Sequence, residues 1–407
     1  MSRVWKKKDT HLRNDPSLCS LFLIFLRIGG TAFGGFMALI SVVQNEIVER
    51  KKLLTHAEML DGISLATILP GSIAVNVVAY VGYKLRSGMG ALVSAIGVIL
   101  PSFALIIALS AAYFHWGQIP SVNKLFLGFV PAVTAIIIHA AWGMARKTII
   151  GLRELIIAII ACTLLLYKGG FYITLIIIVG AGLIGWLSFV PLPKKVNQNP
   201  PAETSKNESA RKRSDTKLLA INTVPLAAAS FLAINTGLAM KLFLTFAGMS
   251  VLLFGGGFVF IPLIQQIVVN EQAWVTRQEF IDAIALGQVT SGPILISAAF
   301  IGYKITRLFG AAVATVGIFL PPALLMLLST HFLIRVRKSA VVQAVLRGIR
   351  PAVIGMIAYA AWSIGTIAVS NWLSAVIFIA ALIALLRFRI DVTWIIPLSG
   401  IMGLLFY

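Results

Sequence analysis

Among its 407 residues this chain has only 14 carboxylates. Four of them fall in two pairs with one spacing: Glu58 and Asp61, then Glu279 and Asp282. Residues three apart share a helix face, so each pair presents two acids together. In a desolvated cavity such a group holds a proton more readily, which suits proton coupling. At a helix start the same charge instead stabilises the positive end of the dipole, a role that fits Glu58 and Glu279. Asp61 and Asp282, a turn deeper, stand between the two readings.

Arg27 lies inside an apolar run, two residues before Gly29-Gly30. A guanidinium there costs at least ~2.5 kcal/mol, so it should face a bundle interior with an anion or carboxylate beside it. It serves a substrate or gate, or else snorkels or forms a structural pair. Backbone chemistry is offered at Phe33-Gly34-Gly35-Phe36 and Leu69-Pro70-Gly71, and again at Phe254-Gly255-Gly256-Gly257-Phe258 and Ser291-Gly292-Pro293. Such breaks free N–H and C=O groups that lipid cannot satisfy, and a half-helix starting there makes an anion site without any side chain. The plainer alternative is close helix packing at the glycines and kinks at the prolines. Asn76 and Ser297 are candidate pore-lining residues. Lys84 and Lys304, each after Gly-Tyr, read as interfacial anchors, and His139 as a structural histidine or a proton relay.

Enzyme chemistry finds little support. The five histidines show no metal spacing, the two cysteines (Cys19, Cys162) form no framework, and no H-E-x-x-H, P-loop or G-x-S-x-G occurs. No metal or cofactor is expected.

The elements that must position these groups are membrane helices. The chain is 59% hydrophobic and 12% charged, with mean hydropathy +0.94. Apolar stretches of about 20 to 28 residues match a hydrocarbon core near 30 Å. The net charge of +20 sits in loops and one linker, where it sets orientation rather than forming a nucleic-acid groove. Thirteen segments are expected: near 18–42, 57–83, 88–114, 124–145, 149–167 and 170–192, then 218–238, 241–269, 279–303, 308–333, 344–365, 368–386 and 391–407.

The motifs recur about 220 residues apart, which is the mark of a duplication. Gly82-Tyr83-Lys84 returns as Gly302-Tyr303-Lys304, Leu100-Pro101 as Leu320-Pro321, and Gly128-x-x-Pro131 as Gly348-x-x-Pro351. The chain divides into a cytoplasmic tail (1–17), a first repeat (18–193), a polar cytoplasmic linker (194–217), a connecting span (218–238) and a second repeat (239–407). Six spans plus one invert the second repeat. If 218–238 stays at the surface, or a broken segment is re-entrant, parity changes and the repeats become parallel. A cytoplasmic N-terminus places Arg146, Lys147, Arg153, Arg277 and Arg387 inside, and Arg50, Lys51, Lys52, Lys241 and Lys304 outside.

Phe33-Gly34-Gly35-Phe36, Leu69-Pro70-Gly71, Gly82-Tyr83 and Leu100-Pro101-Ser102-Phe103, all repeated, resemble the chromate ion transporter family in its long, two-repeat form. The resemblance implies a multi-pass plasma-membrane carrier that exports chromate on the proton motive force and confers chromate resistance. Carried over by position, its candidate residues are Arg27, Gly34, Gly35, Pro70, Gly71, Pro101, Gly255, Gly256, Gly292, Pro293 and Pro321. The family's Pro-Gly-Pro step is incomplete: the chain reads Pro70-Gly71-Ser72 and Ser291-Gly292-Pro293. This leaves sulfate or a related oxyanion open beside chromate, with protons as coupling ion. A passive anion channel, a sulfate-type uptake carrier and a non-transporting scaffold are the alternatives. The oligomeric state stays open between monomer and homodimer.

Overall fold

The computed structural model describes residues 16–33, 35–117, 119–168, 170–189, 236–254, 257, 260–330, 339–368, 371–388 and 390–407. The tail, the linker and nearly all of 218–238 lie outside them, as do Gly34, Gly255 and Gly256. Among the described residues the elements are helices only. Five are long and apolar enough to cross a membrane.

The first repeat runs α1 (Leu18–Thr31), α2 (Gly35–Gln44) with a π-helical turn at Asn45–Arg50, α3 (His56–Ala66), α4 (Ile73–Trp116), α5 (Pro120–Thr148), α6 (Leu152–Tyr167) and α7 (Phe171–Phe189). The second matches it element by element. It runs α8 (Thr236–Leu252), α9 (Phe260–Ile264) with its π-helical turn at Gln265–Glu271, α10 (Arg277–Val289), α11 (Ser297–Thr330), α12 (Ala340–Ala368), α13 (Trp372–Leu386) and α14 (Val392–Phe406).

A straight α4 of 44 residues would measure about 66 Å, roughly twice the hydrocarbon core. It reverses instead at Arg86 (φ −145°, ψ 34°) and Ser87 (φ 53°, ψ −150°). Beyond the turn the two arms touch: a Cβ on Gly82 would lie 2.3 Å from the Gly90 carbonyl oxygen. In an unbroken helix those residues stand about 12 Å apart. α11 repeats the reversal at Thr306 and Arg307, with Gly302 against Gly310.

The short first arms of α4 and α11 therefore pair with the helices before them. A Cβ on Gly62 in α3 would lie 2.4 Å from the Tyr80 ring. Glu279, at the start of α10, is ion-paired with Lys304, at the end of the first arm of α11. Both contacts require antiparallel hairpins whose tips are Thr67–Ser72 and Thr290–Pro293. α1 and α2 fold back likewise, since Ile24 and Arg27 share a pocket with Val42, Glu46 and Arg50. So do α8 and α9, bringing Lys241 over the ring of Trp274, 6.0 Å from its centroid. The apolar segments at 18–42, 57–83, 241–269 and 279–303 thus enter and leave at one end. Apolar length alone cannot separate a span from such a hairpin, because both bury similar surface.

The long arms of α4 and α11, with α5–α7 and α12–α14, make up the rest of the bundle. Gly185, near the end of α7, packs against Ala344 and Gly348 near the start of α12. Gly128, near the start of α5, packs against Ser399 and Gly403 in α14. Since α12 is the counterpart of α5, yet starts beside the end of α5, the second repeat is inverted. The halves also interlock: α5 packs on α12, α13 and α14, and α12 chiefly on α6 and α7.

The folding back reassigns two sets of charges. Arg50, Lys51 and Lys52 lie at the same end as Arg146, Lys147 and Arg153, because α2 returns there. Arg277 lies at the opposite end beside the mouth of the second hairpin, because α10 enters with Lys304. The first group sharpens the basic end and the second weakens it slightly.

Candidate functional site

The two hairpin tips come from opposite ends and meet the other repeat inside the bundle. In the first, the N–H groups of Ile68 and Leu69 both bond the Leu65 carbonyl, at 3.0 and 3.1 Å, closing α3. Pro70 cannot continue the helix, and Gly71 turns the chain at φ +91°. Ser72 then caps α4, its Oγ accepting from the Val75 N–H at 3.4 Å. Asn76, 1% exposed, donates Nδ2–H to the Pro70 carbonyl at 2.9 Å and ties the tip to the helix. Among the described residues its Oδ1 is buried without a hydrogen-bond partner. In the second tip the Gly292 N–H bonds the Thr290 carbonyl at 3.0 Å, and Pro293 leads into a 3₁₀ turn at Ile294–Ile296. There the Ser297 hydroxyl donates to the Ile294 carbonyl at 2.8 Å.

Each tip is seated by a contact that the pseudo-symmetry repeats. The Gly71 N–H bonds the Leu253 carbonyl at the end of α8, at 2.8 Å. A Cβ on Gly71 would lie 2.3 Å from Pro322. The Ser102 hydroxyl donates to the Ser291 carbonyl at 2.8 Å, and a Cβ on Gly292 would lie 2.3 Å from that hydroxyl oxygen. Ser102 follows Pro101 as Pro322 follows Pro321. Pro70, Gly71 and Asn76 in one tip, and Ser291, Gly292 and Pro293 in the other, are thereby buried where each tip meets the opposite repeat and a helix begins. Helix starts direct unshared N–H groups and positive dipole ends toward the tip, the chemistry of an anion cradle.

Other sequence candidates stand elsewhere. Glu58 and Glu279 close capping boxes with Thr55 and Thr276 at the hairpin mouths, accepting those N–H groups at 2.9 and 2.7 Å. Asp282 is 1% exposed. It accepts the Tyr113 hydroxyl at 2.8 Å and the Gln278 amide at 3.0 Å. Tyr113 stands edge-on to Phe126 and Phe300, with ring centroids 4.7 and 5.1 Å away. Asp61, its counterpart, is only half-buried. Gly35 opens α2. Arg27 is not at the tips: it is exposed, and faces a cavity of about 220 Å³ with Glu46 and Arg50. Gly29 is pressed against the Val98 carbonyl of α4, and two residues of helical rotation turn Arg27 away from that contact.

A larger cavity, about 590 Å³, opens at the basic end and runs inward to Thr67 and Ile68 at the first tip. Lys147, Gln343, Arg347 and Arg350 line it. Arg347 and Arg350, both on α12, are not among the residues singled out from the sequence. They were visible as a departure between the copies: Arg347 and Arg350 flank Gly348 and Ile349, whereas Leu127 and Val130 flank Gly128 and Phe129.

Inverted repeats whose broken helices meet inside the bundle define a class of membrane transport protein built for alternating access. A family model described as Chromate transporter matches residues 19–186 and 240–404, and the chain belongs to that family. It is 28% identical to the chromate transport protein of Cupriavidus metallidurans over 406 residues, 98% of this chain and 96% of that one. Identity is also 28% to the probable chromate transport protein of Synechococcus elongatus, over 99% of each chain. A chromate transport protein of Pseudomonas aeruginosa is 27% identical over 83% of this chain and 78% of its own. No solved structure matches the chain.

Proposed function

We propose that this multi-pass membrane protein is a secondary active carrier of chromate, with sulfate as a competing tetrahedral dianion, exporting it on the proton motive force. The observation that carries the reading is that two inverted hairpin tips are each seated inside the bundle against the other repeat, the first beside Pro322 and the second beside Ser102. A tetrahedral oxyanion accepts hydrogen bonds on every face, so two converging helix starts offset its desolvation better than one. Rocking one repeat against the other would expose the tips to alternate ends. Asp282, buried between α10 and α4, is the best-placed proton carrier, because that contact joins a hairpin to the other repeat.

The basic end is taken as cytoplasmic. α7 ends there and α8 begins at the other end, so a membrane crossing at 218–238 is part of the proposal. The test is flux into proteoliposomes containing only this protein, with chromate and sulfate competing under an imposed pH gradient. Accumulation abolished by an uncoupler supports a proton-coupled carrier. Uncoupler-resistant flux means a channel, and no flux of either anion ends the transport reading.

A further inference from the structure

The cavity at the basic end is charged in a way its symmetry mate is not. Arg347 and Arg350 replace Leu127 and Val130 of the first repeat. Arg350 lies ten residues beyond Ala340, the first of α12, or about 15 Å along the axis. A guanidinium at that depth needs water or an anion rather than lipid, and Arg350 is exposed into the cavity. The charge of Arg347 is taken up by Glu154, which is 3% exposed and 3.0 Å away. Among the described residues no carboxylate pairs with Arg350 or Lys147. Two positive charges therefore remain in a chamber that ends at the first hairpin tip. At the equivalent place in the far half Val130 is 4% exposed, and Tyr113, Phe126 and Phe300 pack together.

Resting on the transport reading above, we infer that this cavity is a one-sided capture site for a tetrahedral dianion, with Arg350 and Lys147 as its charges. Arg350 can grip two oxyanion oxygens at once, and Lys147 adds a point charge at the mouth. The ion then passes to Thr67 and the tip. The consequence is kinetic asymmetry: KM is lower from the basic end than from the other.

The test measures chromate KM from each side in vesicles of known orientation. Arg350→Gln should raise KM from the basic end on the order of ten- to a hundred-fold while the far-side KM stays nearly unchanged. Arg350→Lys should recover part of the loss, and Lys147→Gln should raise the same KM by a smaller factor. An unchanged KM in Arg350→Gln, or an equal rise from both sides, overturns the capture site. Wild-type protein that moves neither chromate nor sulfate sinks the transport reading itself. A lipid phosphate is the other source of the same chemistry. Should the Arg350→Gln effect vanish in pure phosphatidylcholine and appear only with phosphatidylglycerol, the ligand is a headgroup and the proposal falls.

Discussion

At Gly71 two demands coincide: a φ of +91° and a proline side chain that would lie 2.3 Å from any Cβ. Gly71→Ala should therefore lose about 1–3 kcal/mol and transport with it, read as a lower Tm in detergent and reduced flux. Gly292 carries only the steric demand, from the Ser102 side chain. Gly292→Ala should be milder, and Ser102→Gly should partly restore it; the same readouts apply, and equal damage from both alanines would contradict the distinction. Asp282→Asn keeps the shape and a partner for the Tyr113 hydroxyl but removes the proton site. It should abolish pH-driven accumulation while preserving chromate counterflow, and Asp61→Asn should do less, since Asp61 is half-buried. Loss of counterflow in Asp282→Asn would assign it to structure instead. The pairing of these acids was visible in sequence, but their inequality was not. Tyr113 reaches Asp282 from 169 residues away, and nothing local announces that.

The reversals inside α4 and α11 are the elements that turn long apolar runs into hairpins. Ser87 and Arg307 sit at φ 53° and 54° with ψ near the region glycine alone enters freely. Ser87→Gly should raise Tm by relieving strain on the order of 1–3 kcal/mol, and Ser87→Val should lower it; a fall in Tm for the glycine variant would show that the side chain itself holds the turn. Helix starts were the legible part of these elements. Thr55 with Glu58 and Thr276 with Glu279 form capping boxes, whose spacing is a local rule. The fold-back was not legible, because hydrophobic periodicity reports which face is buried and carries no information on whether the next helix continues or returns.

Across the whole molecule the repeats exchange partners, α5 lying with α13 and α14, and α12 with α6 and α7. Glu154 and Arg347 tie α6 of one repeat to α12 of the other at 3.0 Å. Arg347→Ala leaves the Glu154 carboxylate buried without its cation and should cost about 1–3 kcal/mol. Glu154→Gln in that background should recover part of the Tm, and no recovery would deny the pair its role. Interlocking also predicts that residues 1–193 and 194–407, expressed as separate chains, co-purify as one complex and separate only on denaturation.

By itself the sequence determined that this is a helical membrane protein made of one unit used twice. Apolar content, loop charge and the recurrence of Phe33–Phe36, Leu69–Gly71 and Gly128-x-x-Pro131 are properties of the chain order. Only the tertiary structure decided that Pro70 and Ser291 arrive from opposite ends, that Arg27 turns aside, and that Arg350 opens into the cavity leading to the first tip. Those outcomes depend on close contacts between residues far apart in the chain, such as Gly71 with Pro322 and Gly292 with Ser102. Such contacts arise from packing two copies against each other, and no pattern within either copy specifies them.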